Sequence, residues 1–316
     1  MQQSEHQVGV LAATFAYLIW GILPLYWKLL EPVSPGEVLA HRIVWSLVFM
    51  ILILTVRKQL RSSWREFIYI FTHFRSAVAI ILASCFITLN WFVFIWAVNS
   101  DRVVEASLGY YINPLINVLL AMLFLKERFT RWQGISIGLA FIGVAVMTIF
   151  YGVVPWAALI LAVSFGLYGL IKKMVNTGAM IGLTIETLLM TPFALLFLLW
   201  LSKQAAYSPS FGSLQTETTW LLMGAGAVTA IPLLLFAIGA KRISLSLIGF
   251  LQYIGPTIML FIGIFLYKEP FSQIQLIAFL FIWVGLFIFT TSKTTAFKKM
   301  TSKLCKTNTK HEPKAS

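Results

Sequence analysis

An all-α polytopic membrane protein, with ten transmembrane helices arranged as two inverted five-helix repeats, is the fold class that this sequence predicts. Three observations predict it. Hydrophobic runs of about 20 residues, enough to cross a ~30 Å hydrocarbon core, recur along nearly the whole chain. Basic residues collect in alternate connections between those runs. An interrupted apolar segment is written twice, as SLGYYINPLINVLLAMLFLKERF at 107–129 and GFLQYIGPTIMLFIGIFLYKEPF at 249–271.

The runs come first. Of 316 residues, 59% are hydrophobic and 11% charged, against roughly 25% charged in soluble domains, which excludes a soluble protein. Ten spans are expected, at 8–30, 35–56, 77–98, 103–125, 132–151, 153–171, 180–201, 218–240, 244–266 and 273–291. Their close spacing leaves no room for an extramembrane domain. The first is expected to remain as a helix, because MQQSEHQ carries no Lys or Arg and no small-residue cleavage site follows. Cys85 falls within the third span and Cys305 in the terminal tail, so no disulfide framework is expected.

Charge placement sets orientation. The net charge is +13, and its distribution argues for a membrane surface and against nucleic acid. With the N-terminus inside, Arg57, Lys58, Arg61, Arg65, Arg75, Lys126, Arg128, Arg131, Lys172, Lys173, Lys241, Arg242 and the tail lysines are cytoplasmic. Lys28, Arg102, Lys203 and Lys268 lie outside and Arg42 within the second span. By the positive-inside rule both termini are cytoplasmic.

The duplicated segment organises the chain. At an offset of 142, residues 107–143 match at Tyr111/Tyr253, Pro114/Pro256, Lys126/Lys268, Glu127/Glu269, Gln133/Gln275 and Gly143/Gly285, besides four apolar identities. Earlier in the halves the match is weaker: Trp20-Gly21 faces Tyr168-Gly169, and Glu37 faces Glu186. Five spans per half invert the second half relative to the first. The predicted organisation is a cytoplasmic N-terminus at 1–7, a first repeat at 8–151, a second at 153–291 and a basic cytoplasmic tail at 292–316. Inverted halves can exchange conformations and open a midplane site to one side and then the other. Pro114 and Pro256 fall about 17 and 18 Å from the starts of their spans at ~1.5 Å per residue, near the bilayer centre. Each frees the carbonyl four residues back, at Tyr110 and Gln252, which protein or a wet cavity must satisfy. A cavity-lining helix break is the reading for this pair, and a packing kink the alternative; for Pro24, Pro192 and Pro232 the kink is preferred.

WGILPLYWK (20–28), HRIVWS (41–46), NWFVFIWAVN (90–99), EASLGYYINPL (105–115), SFGLYGLIKK (164–173) and GFLQYIGPT (249–257) resemble the RarD group of EamA-type transporters, in the drug/metabolite transporter superfamily. The resemblance covers roughly residues 8–290. It implies a ten-helix fold of two EamA repeats in a bacterial inner membrane, and solute transport, chiefly export, without an ATPase. It also implies that spans 1–4 and 6–9 surround a cavity that spans 5 and 10 brace.

Ionisable groups inside spans cost roughly 2.5–3.5 kcal/mol on insertion scales and default to functional candidates. Glu37 and His41 share a helix face at i,i+4 beside Arg42. They offer a proton-titrating pair and a cation for an anionic group; a structural Glu37–Arg42 ion pair near the outer interface is the alternative. Glu186 is the lone carboxylate of span seven, suited either to proton coupling or to a neutral hydrogen bond with a neighbouring helix. Glu105 suits a helix N-terminus. Asn90, Trp91, Tyr110, Tyr111, Asn113, Tyr168, Gln252 and Tyr253 carry polar tips at membrane depth and are expected to line a mixed apolar and hydrogen-bonding pocket. GISIG (134–138) is a small-xxx-small pattern that permits close, bracing helix packing. RSSWREFIYIFTHF (61–74) places Trp64, Phe67, Ile68 and Phe71 at helical spacing, as in a short interfacial helix on the inner leaflet.

The chain has no GxxxxGK[ST] loop, HExxH, Cys/His cluster or GxSxG elbow. No catalytic residue, metal or cofactor is therefore expected, and uphill transport would draw on a gradient. The leading reading is a secondary transporter for a metabolite, amino acid or drug, with a membrane channel or facilitator as the alternative. The expected partners are that small molecule and the lipid bilayer, with the protein a monomer or homodimer.

Overall fold

The structure is a computed structural model that describes residues 2–125, 130–151, 154–175, 179–204, 210–212, 217–240, 242–243 and 251–292. Lys126-Glu127, residues 244–250 of the expected ninth span, and the basic tail from 293, with Cys305, lie outside the described residues. Among the described residues there are helices and no strands: α1 (Gln2–Lys28), α2 (Pro35–Val56), α3 (Leu60–Thr72), α4 (Phe74–Asn99), α5 (Val103–Leu125), α6 (Arg131–Tyr151), α7 (Trp156–Val175), α8 (Ala179–Leu201), α9 (Glu217–Ala240), α10 (Ile254–Phe261, running into one π turn at Ile262–Leu266) and α11 (Gln273–Ser292). Eight are long and apolar enough to cross a membrane, and Trp156–Lys172 and Ile254–Leu266 are shorter apolar helices. The chain is an all-α polytopic membrane protein.

Each expected span falls on one of these helices, α3 being the additional one. In span nine Leu251 is helical, Gln252-Tyr253 form a turn, and a further helix begins at Ile254. Pro256 therefore sits in the first turn, where its missing N–H needs no intrahelical partner. Pro114, by contrast, lies inside the continuous α5.

Local chemistry sets the ends. Ser34 caps α2, its Oγ accepting the Glu37 amide at 3.3 Å, with Pro35 at the first helical position. Lys58, Asp101 and Lys268 take left-handed φ values of 55°, 53° and 55°. After each, an amide reaches back to a carbonyl that the helix leaves free: Gln59 to Leu54 (2.8 Å), Arg102 to Ala97 (2.8 Å) and Glu269 to Gly263 (3.0 Å).

Two compact units emerge, each taking helices from both halves of the sequence. The first comprises residues 1–120 and 155–271, the second 121–154 and 272–316. Inside the first, α1 packs on α9 as α7 packs on α4; α2 packs on α9 as α8 packs on α4; and α2 and α8 pack on each other. Each pairing is the counterpart of another when the halves are exchanged. Matching isoleucines serve corresponding contacts: Ile258 fills the space over Gly21 in the α1–α10 contact, where an added Cβ would lie 2.8 Å from it, and Ile116 fills that over Gly166 in the α5–α7 contact, at 3.0 Å, one turn before Gly169, the position that matches Gly21. Ile116 and Ile258 are 142 residues apart. Trp27, Leu30, Val98, Leu161 and Leu222 form part of the principal core.

The second unit is the α6–α11 pair. A Cβ on Gly143 would stand 2.8 Å from the Ala278 carbonyl oxygen, and one on Gly285 2.8 Å from that of Ser136. Both glycines and both partners are offset by 142 residues. The expected GISIG seam is corrected here: Gly134 and Gly138 have no atom within 4 Å of an added Cβ. They sit on a different face of α6 from Ser136 and Gly143, whose seven-residue spacing is two turns. The α6 and α11 starts are capped alike: Thr130 and Gln133 exchange bonds of 2.9 and 3.3 Å, and Ser272 and Gln275 bonds of 2.8 and 3.2 Å.

On α3, Trp64 stacks on Phe67 and Phe67 meets Phe71, at 5.2 and 4.6 Å between centroids. Phe67 and Phe71 pack against the Ile70–Ile80–Ile185 cluster while Trp64 and Ile68 are exposed.

Candidate functional site

The candidate site gathers around Arg42. From α2 its guanidinium carbon lies 4.8 Å from the ring centroid of Trp27 on α1 and 4.3 Å from that of Trp91 on α4. Its Nε donates to Thr229 Oγ1 of α9 at 2.9 Å, and its Nη1 has no partner. Arg42 is 4% exposed. Two indole faces supply part of the attraction that water would give an exposed cation. No carboxylate among the described residues lies within the 4.0 Å of an ion pair with Arg42. Glu37, also buried, instead accepts from Ser210 Oγ at 3.2 Å, so the Glu37–Arg42 pair is not formed. His41 lays its ring against Phe211 at 4.7 Å.

Beside this cation runs a neutral network. Asn90 donates to the Leu161 carbonyl (3.0 Å) and Ser164 Oγ (3.1 Å) of α7, and its Oδ1 accepts from Tyr110 OH at 3.3 Å. The Tyr110 ring packs edge-on against Phe94 and Phe165. Asn113 donates to the Ala162 carbonyl at 3.0 Å and accepts from Asn117. These two asparagines tie α4 and α5 to α7, and their amides are largely engaged in that work. Tyr111 and Tyr253 stack with centroids 6.3 Å apart, and Tyr111 OH meets Thr257 Oγ1 at 2.6 Å. Ser107 donates to the carbonyl of Pro256 at 2.9 Å, joining the two spans that carry the matched Pro114 and Pro256. Gln252 is half-buried in the turn before α10.

Glu186 is not alone. Lys172 Nζ pairs with its Oε1 at 2.8 Å and Tyr168 OH donates to its Oε2 at 3.1 Å. Lys172 and Tyr168 are i,i+4 on α7, a spacing that could have marked the lysine as part of this group rather than of the cytoplasmic basic run. The expected cavity residues thus divide into an Arg42 centre, a Tyr111–Tyr253 contact and a Lys172–Glu186–Tyr168 cluster, the last joined to the first through Phe165, which meets both Tyr110 and Tyr168. Trp27 and Thr229, which complete the Arg42 centre, lie on other helices; Trp27 falls within WGILPLYWK, but nothing in the sequence ties either residue to Arg42.

Two carboxylates join helix ends in the first unit. Glu269, in the connection after span nine, accepts from the Val103 and Val104 amides at 2.6 and 2.8 Å, capping α5. Burial holds its pKa above the ordinary carboxylate value, with Asp101 acting in the same direction and the two amides and Lys28 opposing. Glu105 caps a different helix from its own, accepting the Ala157 amide of α7 at 2.9 Å while pairing with Arg102. Lys28 bridges Asp101 (2.8 Å) and Glu31 (3.0 Å) beside them, and Tyr267 OH donates to the Pro24 carbonyl at 3.1 Å.

The sequence model of the EamA-like transporter family matches twice, at residues 7–149 and 154–291. The chain is 48% identical to the "uncharacterized transporter YojE" of Bacillus subtilis (strain 168) over 93% of its length and 97% of the relative's. It is 42% identical to "protein RarD" of Salmonella typhi and 39% identical to that of Escherichia coli (strain K12), each over 92% of this chain and 96% of the relative. A protein crystal structure shares the fold with a TM-score of 0.58 at 19% identity, covering 89% of this chain and 96% of the other.

Proposed function

The chain belongs to the EamA-like transporter family, in its RarD-type group, and from that membership we propose that this membrane transporter exports a small organic solute across the bacterial inner membrane by alternating access. The observation that carries the mechanism is the exchange relation between the halves. Helix pairings, the Gly143 and Gly285 contacts and the Tyr111–Tyr253 stack all have counterparts 142 residues away. Halves that present equivalent contacts can trade conformations, opening the Arg42 centre to one side at a time. In this reading Glu269, Glu105 and Lys28 close the outer side, and the excess of basic residues in alternate connections supports cytoplasmic termini.

Energy comes from a gradient in this reading. Glu186 is the group we assign to proton coupling: it is a buried carboxylate inside a span, held by Lys172 and Tyr168 from the neighbouring helix. The amphipathic α3 lies along the inner leaflet with Trp64 and Ile68 toward lipid.

Untargeted profiling of the medium of cells expressing the wild type or an empty vector tests the reading. A compound that accumulates outside only with the wild type supports export. Depletion of a supplied compound would reverse the direction, and steady single-channel conductance in a planar bilayer would replace the carrier by a channel.

A further inference from the structure

From the unpaired charge at its centre we infer that the solute is an organic monoanion, a carboxylate with an apolar body, whose negative charge meets Arg42. This deepens the transport reading and rests on it. Among the described residues Arg42 is the only buried arginine or lysine, and no carboxylate lies within ion-pair distance of it. A buried charge without a counter-ion is expensive, and two indole faces offset only part of the desolvation. Three buried N–H donors on α1 and α2 also lack acceptors: Arg42 Nη1, Trp27 Nε1, whose ring the guanidinium overlies, and Trp45 Nε1, one turn along α2 from Arg42. Unmet buried donors are costly, and a guanidinium with a free N–H, an indole it overlies and a second indole one turn along its own helix together describe the complement of an anion.

The neighbouring polar groups do not supply that acceptor. Asn90 Oδ1 is already taken by Tyr110, Thr229 Oγ1 receives Arg42 Nε, and Glu37 is turned to Ser210. One buried cation balances one negative charge, which argues for a carboxylate over a phosphate dianion. The aromatic rings around the cation, Trp27 and Trp91 against the guanidinium and Phe211 against His41 and Trp45, make its surroundings apolar and suit an apolar body. A hydrophilic body would leave those surroundings unmatched.

Thermal unfolding of the purified full-length protein with three isosteric probes tests this: phenylacetate, its amide phenylacetamide and the cation phenethylammonium, each at millimolar concentration. The expected result is a rise in the unfolding midpoint of wild type with phenylacetate alone. That shift disappears in Arg42→Gln and is weaker but still anion-selective in Arg42→Lys, which keeps the charge and loses the planar fork. Should Arg42→Gln not fold, Thr229→Val, which frees Nε, serves in its place and is expected to reduce the shift. An equal shift from the amide or the amine, a phenylacetate shift that survives Arg42→Gln or is unchanged by Thr229→Val, or no shift from any probe overturns the inference. A carboxylate-selective shift in a protein that moves no solute would keep the anion site and remove the transport reading. Export of a neutral or cationic solute without that shift would do the reverse.

Discussion

Tyr111 and Tyr253, at matching positions in the two halves, lie nearly parallel, with 18° between their ring planes. Side chains related by an exchange of halves meet each other only where the exchange axis passes, so this pair marks the axis within the first unit. A contact on the axis can persist while the flanking helices change places, which makes it a pivot. Replacing both tyrosines with alanine is expected to slow export at least tenfold while Tyr111→Phe has a smaller effect, because the phenyl ring keeps the stack and loses only the bond to Thr257. Equal rates for the three proteins would remove the pivot.

The α6–α11 seam makes a prediction whose sign differs between glycines of one helix. Gly134→Ala meets nothing and gains helix propensity, so it should stabilise by about 0.5–1 kcal/mol. Gly143→Ala and Gly285→Ala drive a methyl to 2.8 Å from a backbone oxygen and should destabilise by about 1–3 kcal/mol. Unfolding midpoints of the three variants in the same detergent check this; a stabilising Gly143→Ala would place the seam elsewhere.

For Glu269 the pH dependence follows from its raised pKa. A carboxyl that holds its proton more tightly when folded contributes fully below the ordinary carboxylate value, and that contribution is lost as pH rises through the raised one. Glu269→Gln mimics the protonated form. Wild type should match this variant near pH 4 and lose stability relative to it toward pH 7. A wild type that gains on the variant as pH rises would mean that the Val103 and Val104 amides outweigh burial.

Glu186→Gln should leave folded protein while abolishing uphill export and flattening any pH dependence of the residual flux. Lys172→Met, which removes the carboxylate's ion-pair partner, should alter the pH profile. Profiles that overlay the wild type in both variants would assign coupling to another group.

How legible this molecule is in its sequence depends on the range of each interaction. The spans were readable because length and hydropathy are local; Gln133 and Gln275 stood out only as matching positions, and the structure shows both to be caps. GISIG directed attention to Gly134 and Gly138, whereas the close contacts fall at Gly143 and Gly285, since a spacing pattern does not say which face is covered. Glu105 suited a helix start, yet the helix it caps begins at Trp156, and nothing local reports that. Arg42 stood out as a charge within a span, whereas Trp27 and Thr229 are unremarkable until folding brings α1 and α9 to it. Lys172 was grouped with cytoplasmic charges because its partner is on the next helix.

The central claim is that export requires the outer face to open. Lys28 and Asp101 meet across that face at 2.8 Å. Lys28→Cys with Asp101→Cys, in a chain with Cys85 and Cys305 replaced, can be bridged by a short thiol cross-linker in intact cells. Export of the compound that accumulates with wild type should stop on bridging and return when a cleavable linker is reduced. Undiminished export by the bridged protein would contradict alternating access through this face.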